Sequence, residues 1–151
     1  MNKDFVEMLF ALLDAKAEFL VVGAHAASVH GHARNTGDLD IWVRPSTENA
    51  PRVMRALHAF GAPTFDWTVE DFTKPDWCFQ MGMPPGRIDL LTGIAGVSFD
   101  DAWPNRVDHE LQGRAVPFLG LEELLRNKRA AGRPKDLADV AALEKLKRKR
   151  K

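Results

Sequence analysis

Residues 23–43 read GAHAASVHGHARNTGDLDIWV, and the fold turns on how Asp38 and Asp40 enter the apolar run Ile41-Trp42-Val43. Successive side chains on a strand point to opposite faces, so the two aspartates flanking Leu39 share one face. A charge leading into a buried run is costly unless it finds a partner. Either a basic group neutralises the pair, with Arg34 and Arg44 the nearest candidates, or the two carboxylates form half of a cation site. The residues alone leave both open.

Outward from this stretch the chain alternates helix and strand. Phe5, Met8, Leu9, Leu12 and Leu13 recur at helical spacing, predicting an amphipathic first helix. FLVVG, residues 19–23, predicts a short buried strand ending at Gly23, followed by a helix from Ala24 to His30 that Gly31 stops. LDIWV is the second strand. Ser46 or Thr47 is expected to cap a helix running to Phe60, closed by Gly61 and Pro63. Thr68 and Asp71 have the spacing of a capping box for a short helix.

WCFQMG and RIDLL are expected to pair antiparallel through the MPPG turn, and SFDDAW to open another short helix. A hairpin turns at Gln112-Gly113, and two helices finish the chain, Leu121 to Ala131 and Lys135 to Lys147. The pattern is that of an α+β, or mixed α/β, domain.

The chain has 151 residues, 45% of them hydrophobic and 28% charged, the proportions of one soluble domain. Its single cysteine, Cys78, excludes an internal disulfide framework and fits a reducing compartment, so a cytoplasmic location is expected. No signal-peptide pattern opens the chain, and its apolar runs are too short to span a membrane. The net charge of zero hides an asymmetry. From Arg126 onward there are 11 Lys/Arg against 3 Asp/Glu, and residues 145–151 hold six basic residues among seven. A domain over 1–144 with a basic tail over 145–151 is the expected division. The tail is either a solvated helix end or an arm for RNA.

A third acid, Asp89, also enters an apolar strand. If that strand lies beside LDIWV, three carboxylates converge, a hard-oxygen set suited to Mg²⁺ or Mn²⁺ rather than zinc. Two such ions ~3.5–4 Å apart clamp the attacking and leaving oxygens of a phosphoryl displacement. The glycine at the end of the first strand opens a helix whose free N–H groups suit phosphate oxygens. His25, His30 and His32 are spaced by five and two, not the i, i+4 of helical zinc sites. Trp42, Trp67, Trp77 and Trp103 are expected in the core and its rim.

With Gly23-Ala24, Asp38-x-Asp40 and Asp89 in this order, the chain resembles the nucleotidyltransferases of the DNA polymerase β superfamily. More closely, VVGAHAASVHGHARNTGDLDIWV, RIDLLTGIAGVSFDDAW and RNKRAAGRPKDLADV resemble a bacterial group of small stand-alone nucleotidyltransferases, related to abortive-infection-type toxins. The resemblance spans nearly the whole chain except the basic tail. It implies the nucleotidyltransferase fold, a twisted mixed sheet carrying the three aspartates with helices packed on one side. It also implies transfer of a nucleoside monophosphate from an NTP such as ATP, with two Mg²⁺ ions.

On this resemblance Asp38, Asp40 and Asp89 are the metal ligands and catalytic acids, with Asp89 also a base for the acceptor hydroxyl. Gly23, Ala24, His25, Arg34, Thr36 and Lys128 are the nucleotide-binding candidates. Lys128, Arg133 and Lys135 flank the last interhelical turn, where Asp136 and Asp139 offer alternative partners. Ala24 departs from the Gly or Ser common in the family and leaves only its backbone N–H for a phosphate. The acceptor is left open between RNA, a protein and a small molecule, and a homodimer or partner chain would help recognise it. The alternative is a non-catalytic nucleotide- or partner-binding module, antitoxin-like or regulatory, on the same fold. The absence of tyrosine excludes self-modification on Tyr.

Overall fold

Residues 1–32, 37–64 and 66–150 are described by a computed structural model. Six strands form one mixed sheet: β1 (Phe19–Val22), β2 (Leu39–Val43), β3 (Cys78–Met81), β4 (Ile88–Leu91), β5 (Val107–Leu111) and β6 (Arg114–Phe118), in the order β3-β4-β2-β1-β6-β5. β1 runs antiparallel to β2 and parallel to β6, while β2 runs parallel to β4. An antiparallel hairpin closes each side, β3–β4 and β5–β6. β1 is buried at every position, which is why its sequence is apolar throughout instead of alternating.

Six α-helices lie among the described residues: α1 (Lys3–Asp14), α2 (Gly23–Val29), α3 (Ala50–Phe60), α4 (Phe99–Ala102), α5 (Leu121–Ala131) and α6 (Pro134–Lys149). The Asn2 side chain caps α1 by accepting from the Phe5 N–H at 2.9 Å, and Phe5, Met8, Leu9 and Leu12 are buried as the periodicity predicts. α3 starts later than expected. Ser46 accepts from the Asn49 N–H, making a turn, and Asn49 spends its side chain on the backbone of Glu18 and Arg44. The helix therefore begins at Ala50, with Pro51 in its first turn, and ends where Gly61 takes a left-handed φ of 86°.

Thr68 and Asp71 do form a reciprocal capping box, but it opens a five-residue 3₁₀ helix, Val69–Thr73. Gln112 and Gly113 both have positive φ, as a two-residue hairpin turn requires. On the face of Asp40, Trp42 is covered by Phe99 of α4, ring centroids 5.0 Å apart.

α6 runs one residue earlier and two later than the expected Lys135–Lys147, so most of the basic run is helical. Lys147 pairs with Glu122 of α5, and Arg150 donates to the His30 carbonyl at 2.7 Å. Among the described residues no helix is long and apolar enough to cross a membrane.

Candidate active site

The parallel pairing of β2 with β4 puts Asp40 directly beside Asp89. Asp38, two residues upstream, shares their face. The three acids expected to converge do so, and the reason is register: Leu39 pairs Ile88 and Ile41 pairs Leu90, so burial of both apolar sets locks the acids side by side.

Among the described residues the basic group that meets them is Arg87, not Arg44. Its Nε and Nη2 donate to the two oxygens of Asp89 at 2.9 and 3.2 Å. Nη2 also lies 3.5 Å from Asp38 Oδ2, and the Arg87 backbone N–H donates to Asp38 Oδ1 at 3.2 Å. Arg44 instead pairs with Glu18 and Asp100 and stacks over Phe99. Arg34 and Thr36 lie outside the described residues. Sequence reasoning missed Arg87 although the signal was present: it precedes Asp89 by two on one strand, hence on one face.

Among the described residues three carboxylates meet one guanidinium. Burial, then the charges of Asp89 and Asp38, push the Asp40 carboxyl up to about 6 against the opposing pull of Arg87. Its oxygen also presses on Gly23. A Cβ built at Gly23 would sit 2.5 Å from Asp40 Oδ2, and Gly23 has φ +68°, so a glycine is needed there twice over. Next to it Ala24 is half-buried and its carbonyl accepts from Ser28. His25 packs edge-on against Phe5 and contacts the Asp38 backbone; burial lowers its proton affinity.

Gly23 and Asp40 line a cleft of about 240 Å³ with Leu91, Ile94, Lys128 and Arg133. Lys128 is 6% exposed, not a surface cation: its Nζ lies 2.9 Å from Asp139 and 4.0 Å from Asp136. Asp136 is gripped by Arg133 at 2.6 Å. Burial alone would raise the Asp136 carboxyl, but the Arg133 contacts outweigh it and hold it below its usual range. His32 reaches Asp139 at 3.1 Å, and buried His30 donates to the Leu119 carbonyl at 2.8 Å. Two of the three histidines thus serve packing of the domain.

Among the described residues no three His, Cys, Asp or Glu side chains form a ready metal cage. Asp89, the expected third ligand, has both oxygens in the Arg87 fork. A divalent ion fits the chemistry at Asp40 all the same. The donors are hard oxygens, and a cation would offset both the burial and the neighbouring charges of Asp89 and Asp38 that together lift the Asp40 carboxyl.

No family model matches the sequence, and no curated relative matches it. Solved structures do share its architecture. The lincosamide antibiotic adenylyltransferase LnuA, solved with lincomycin bound, superposes with a TM-score of 0.62 over 97% of this chain and 98% of its own, at 14% identity. A candidate nucleotidyltransferase from Thermotoga maritima gives 0.56 over 95% and 88%, at 17% identity. An antigenic nucleotidyltransferase-like protein from Paracoccidioides brasiliensis gives 0.54 over 95% and 75%, at 16% identity. The chain therefore has the nucleotidyltransferase fold.

Proposed function

We propose that this protein transfers a nucleoside monophosphate from an NTP to an acceptor, releasing pyrophosphate. The observation that carries the reading is the register that sets Asp40 beside Asp89 at a cleft also lined by Gly23 and Lys128, within the nucleotidyltransferase fold. A bound Mg²⁺ or Mn²⁺ supplies charge neutralisation and alignment of the phosphates when present.

The chain's own residues do the rest. Asp38 and Asp40 would hold the ion, and Gly23 leaves room for the Asp40 carboxylate itself. The backbone at Gly23 and Ala24 and the Lys128 ammonium face the phosphates, with His25, Arg34 and Thr36 as further nucleotide contacts. Asp89 takes the proton of the acceptor oxygen as that oxygen bonds to the α-phosphorus and the bond to the β-phosphate breaks. Positioning and charge neutralisation supply most of the rate.

ATP is the NTP to test first, and a small hydroxylated molecule the first acceptor, since LnuA is an antibiotic adenylyltransferase whose length this chain spans. The resemblance of the sequence to a group related to abortive-infection-type toxins makes RNA and protein the next acceptors to test. A cytoplasmic setting, RNA contact by the basic run, and a homodimer or partner chain that completes acceptor recognition belong to the same reading. One observation favours the non-catalytic alternative: Arg87 already satisfies Asp89 and part of Asp38.

Melting curves decide between them. A nucleotide at 100 times its Kd adds ~2.7 kcal/mol by mass action, so NTP with Mg²⁺ raises the melting temperature well above NTP with chelator. Each of the four α-labelled NTPs is then incubated with protein, Mg²⁺ and extract, and label from the NTP used is expected in one fraction. Identical melting curves and no transferred label would sink the enzymatic reading.

A further inference from the structure

We infer that the site takes one divalent ion rather than two, with the Arg87 guanidinium standing in the second cation's place. The inference rests on the proposed function and departs from the two-ion expectation. Arg87 meets both oxygens of Asp89 through its side chain, one oxygen of Asp38 through the same guanidinium and the other through its backbone N–H. A fork on both oxygens of a carboxylate uses the lone pairs between which a chelated ion would sit. An ion bridging Asp38 and Asp89 must expel a group fixed at the first residue before β4, on the same face as Asp89.

Asp40 differs. It faces the cleft against Gly23, with the phosphate-side cation Lys128 in the same lining. Charge points the same way. Among the described residues these three carboxylates meet one guanidinium, which leaves negative charge at Asp40 for a divalent ion to offset. Arginine does not deprotonate in proteins, so this positive charge is permanent, unlike that of a lysine in the same place.

The test counts ions. Native mass spectrometry and calorimetry with Mn²⁺ and the non-hydrolysable analogue α,β-methylene-ATP read occupancy, and electron paramagnetic resonance reports whether bound Mn²⁺ ions are spin-coupled neighbours. Wild type is expected to bind one uncoupled Mn²⁺ per chain. Arg87→Gln is expected to bind two, coupled, with the second filling the vacated place. Arg87→Met, which keeps much of the aliphatic stem, serves if Arg87→Gln does not fold. Two coupled ions in wild type overturn the inference while leaving the proposed function standing. One ion in both wild type and variant overturns it too, because Arg87 is then not what excludes the second. No ion in wild type overturns the proposed function and this inference with it.

Discussion

Two charge clusters reach the same cleft, one through Asp40 and the other through Lys128, Arg133 and Asp136, and they balance differently. Among the described residues the α5–α6 cluster sets Lys128, Arg133 and His32 against Asp136 and Asp139, with Lys128, Asp136 and Asp139 each no more than 6% exposed. Among the described residues the β2–β4 cluster sets Arg87 against Asp38, Asp40 and Asp89. Burial is similar for Asp89 and Asp139, at 7% and 5%. What separates the clusters is the sum. A balanced set is a clamp that joins two helices, whereas an unbalanced one holds a standing demand for positive charge. Near-neutral clusters read as architecture and residual charge reads as a site.

Four substitutions break or sharpen this contrast. Asp40→Asn has the largest effect: NMP transfer falls on the order of 10³-fold or more, about 4 kcal/mol of barrier, with Mg²⁺-dependent stabilisation lost in melting curves. The same variant is more stable than wild type without metal. The Asp40 carboxyl rises from 3.8 in the unfolded chain to about 6 in the fold. The folded state therefore holds the proton more tightly, and stability falls as pH climbs through that window. The penalty is absent below the unfolded value and complete above about 6, where it reaches about 3 kcal/mol. Urea unfolding at pH 4 and pH 7.5 measures it, and an equal wild-type-to-variant difference at both would contradict the repulsion.

Next comes Asp139→Ala, which leaves buried Lys128 with only Asp136 4.0 Å away among its ion-pair partners in the described residues. A cost of about 3 kcal/mol is expected, with Mn²⁺ affinity unchanged. Thermal unfolding with and without Mn²⁺ separates the two, and a loss of metal affinity would show that the two clusters act as one.

Asp89→Asn lies between the regimes. It removes a charge from a repelling trio, yet frees Arg87 from its fork, while the half-exposed guanidinium keeps Asp38 and water. Asp89 is expected to lose about 1–2 kcal/mol of its hydrogen bonding, less than a sealed ion pair would. Transfer collapses in the same variant. An apo protein more stable than wild type would show that repulsion outweighs the fork. Smallest is Lys147→Ala on exposed α6, where loss of the Glu122 pair leaves the melting temperature unmoved.

Much of the fold was legible because the sheet punctuates its own sequence. The alternation around Asp38 and Asp40, the apolar run of β1 and the Gln112-Gly113 turn each carry a local signal, and each element lies where that signal put it. What was not legible is set by distance along the chain. Ser46 caps a turn instead of α3 because Asn49 is drawn to Glu18, 31 residues earlier. Arg87 belongs to Asp38, 49 residues upstream, only once β2 and β4 pair. Lys128 looked like a surface cation in a charged helix, and only the docking of α6 buries it against Asp139.

The contact between Gly23 and Asp40 has a consequence for genetics. With a Cβ at position 23 only 2.5 Å from Asp40 Oδ2, alanine at Gly23 forces the acid to move, and the positive φ adds its own strain. A selection for folded protein starting from Gly23→Ala should return second-site suppressors at Asp40, trimmed to glycine, alanine or serine. Such revertants would regain solubility and stay inactive, so a screen that reads abundance and one that reads NMP transfer would score the same alleles in opposite ways.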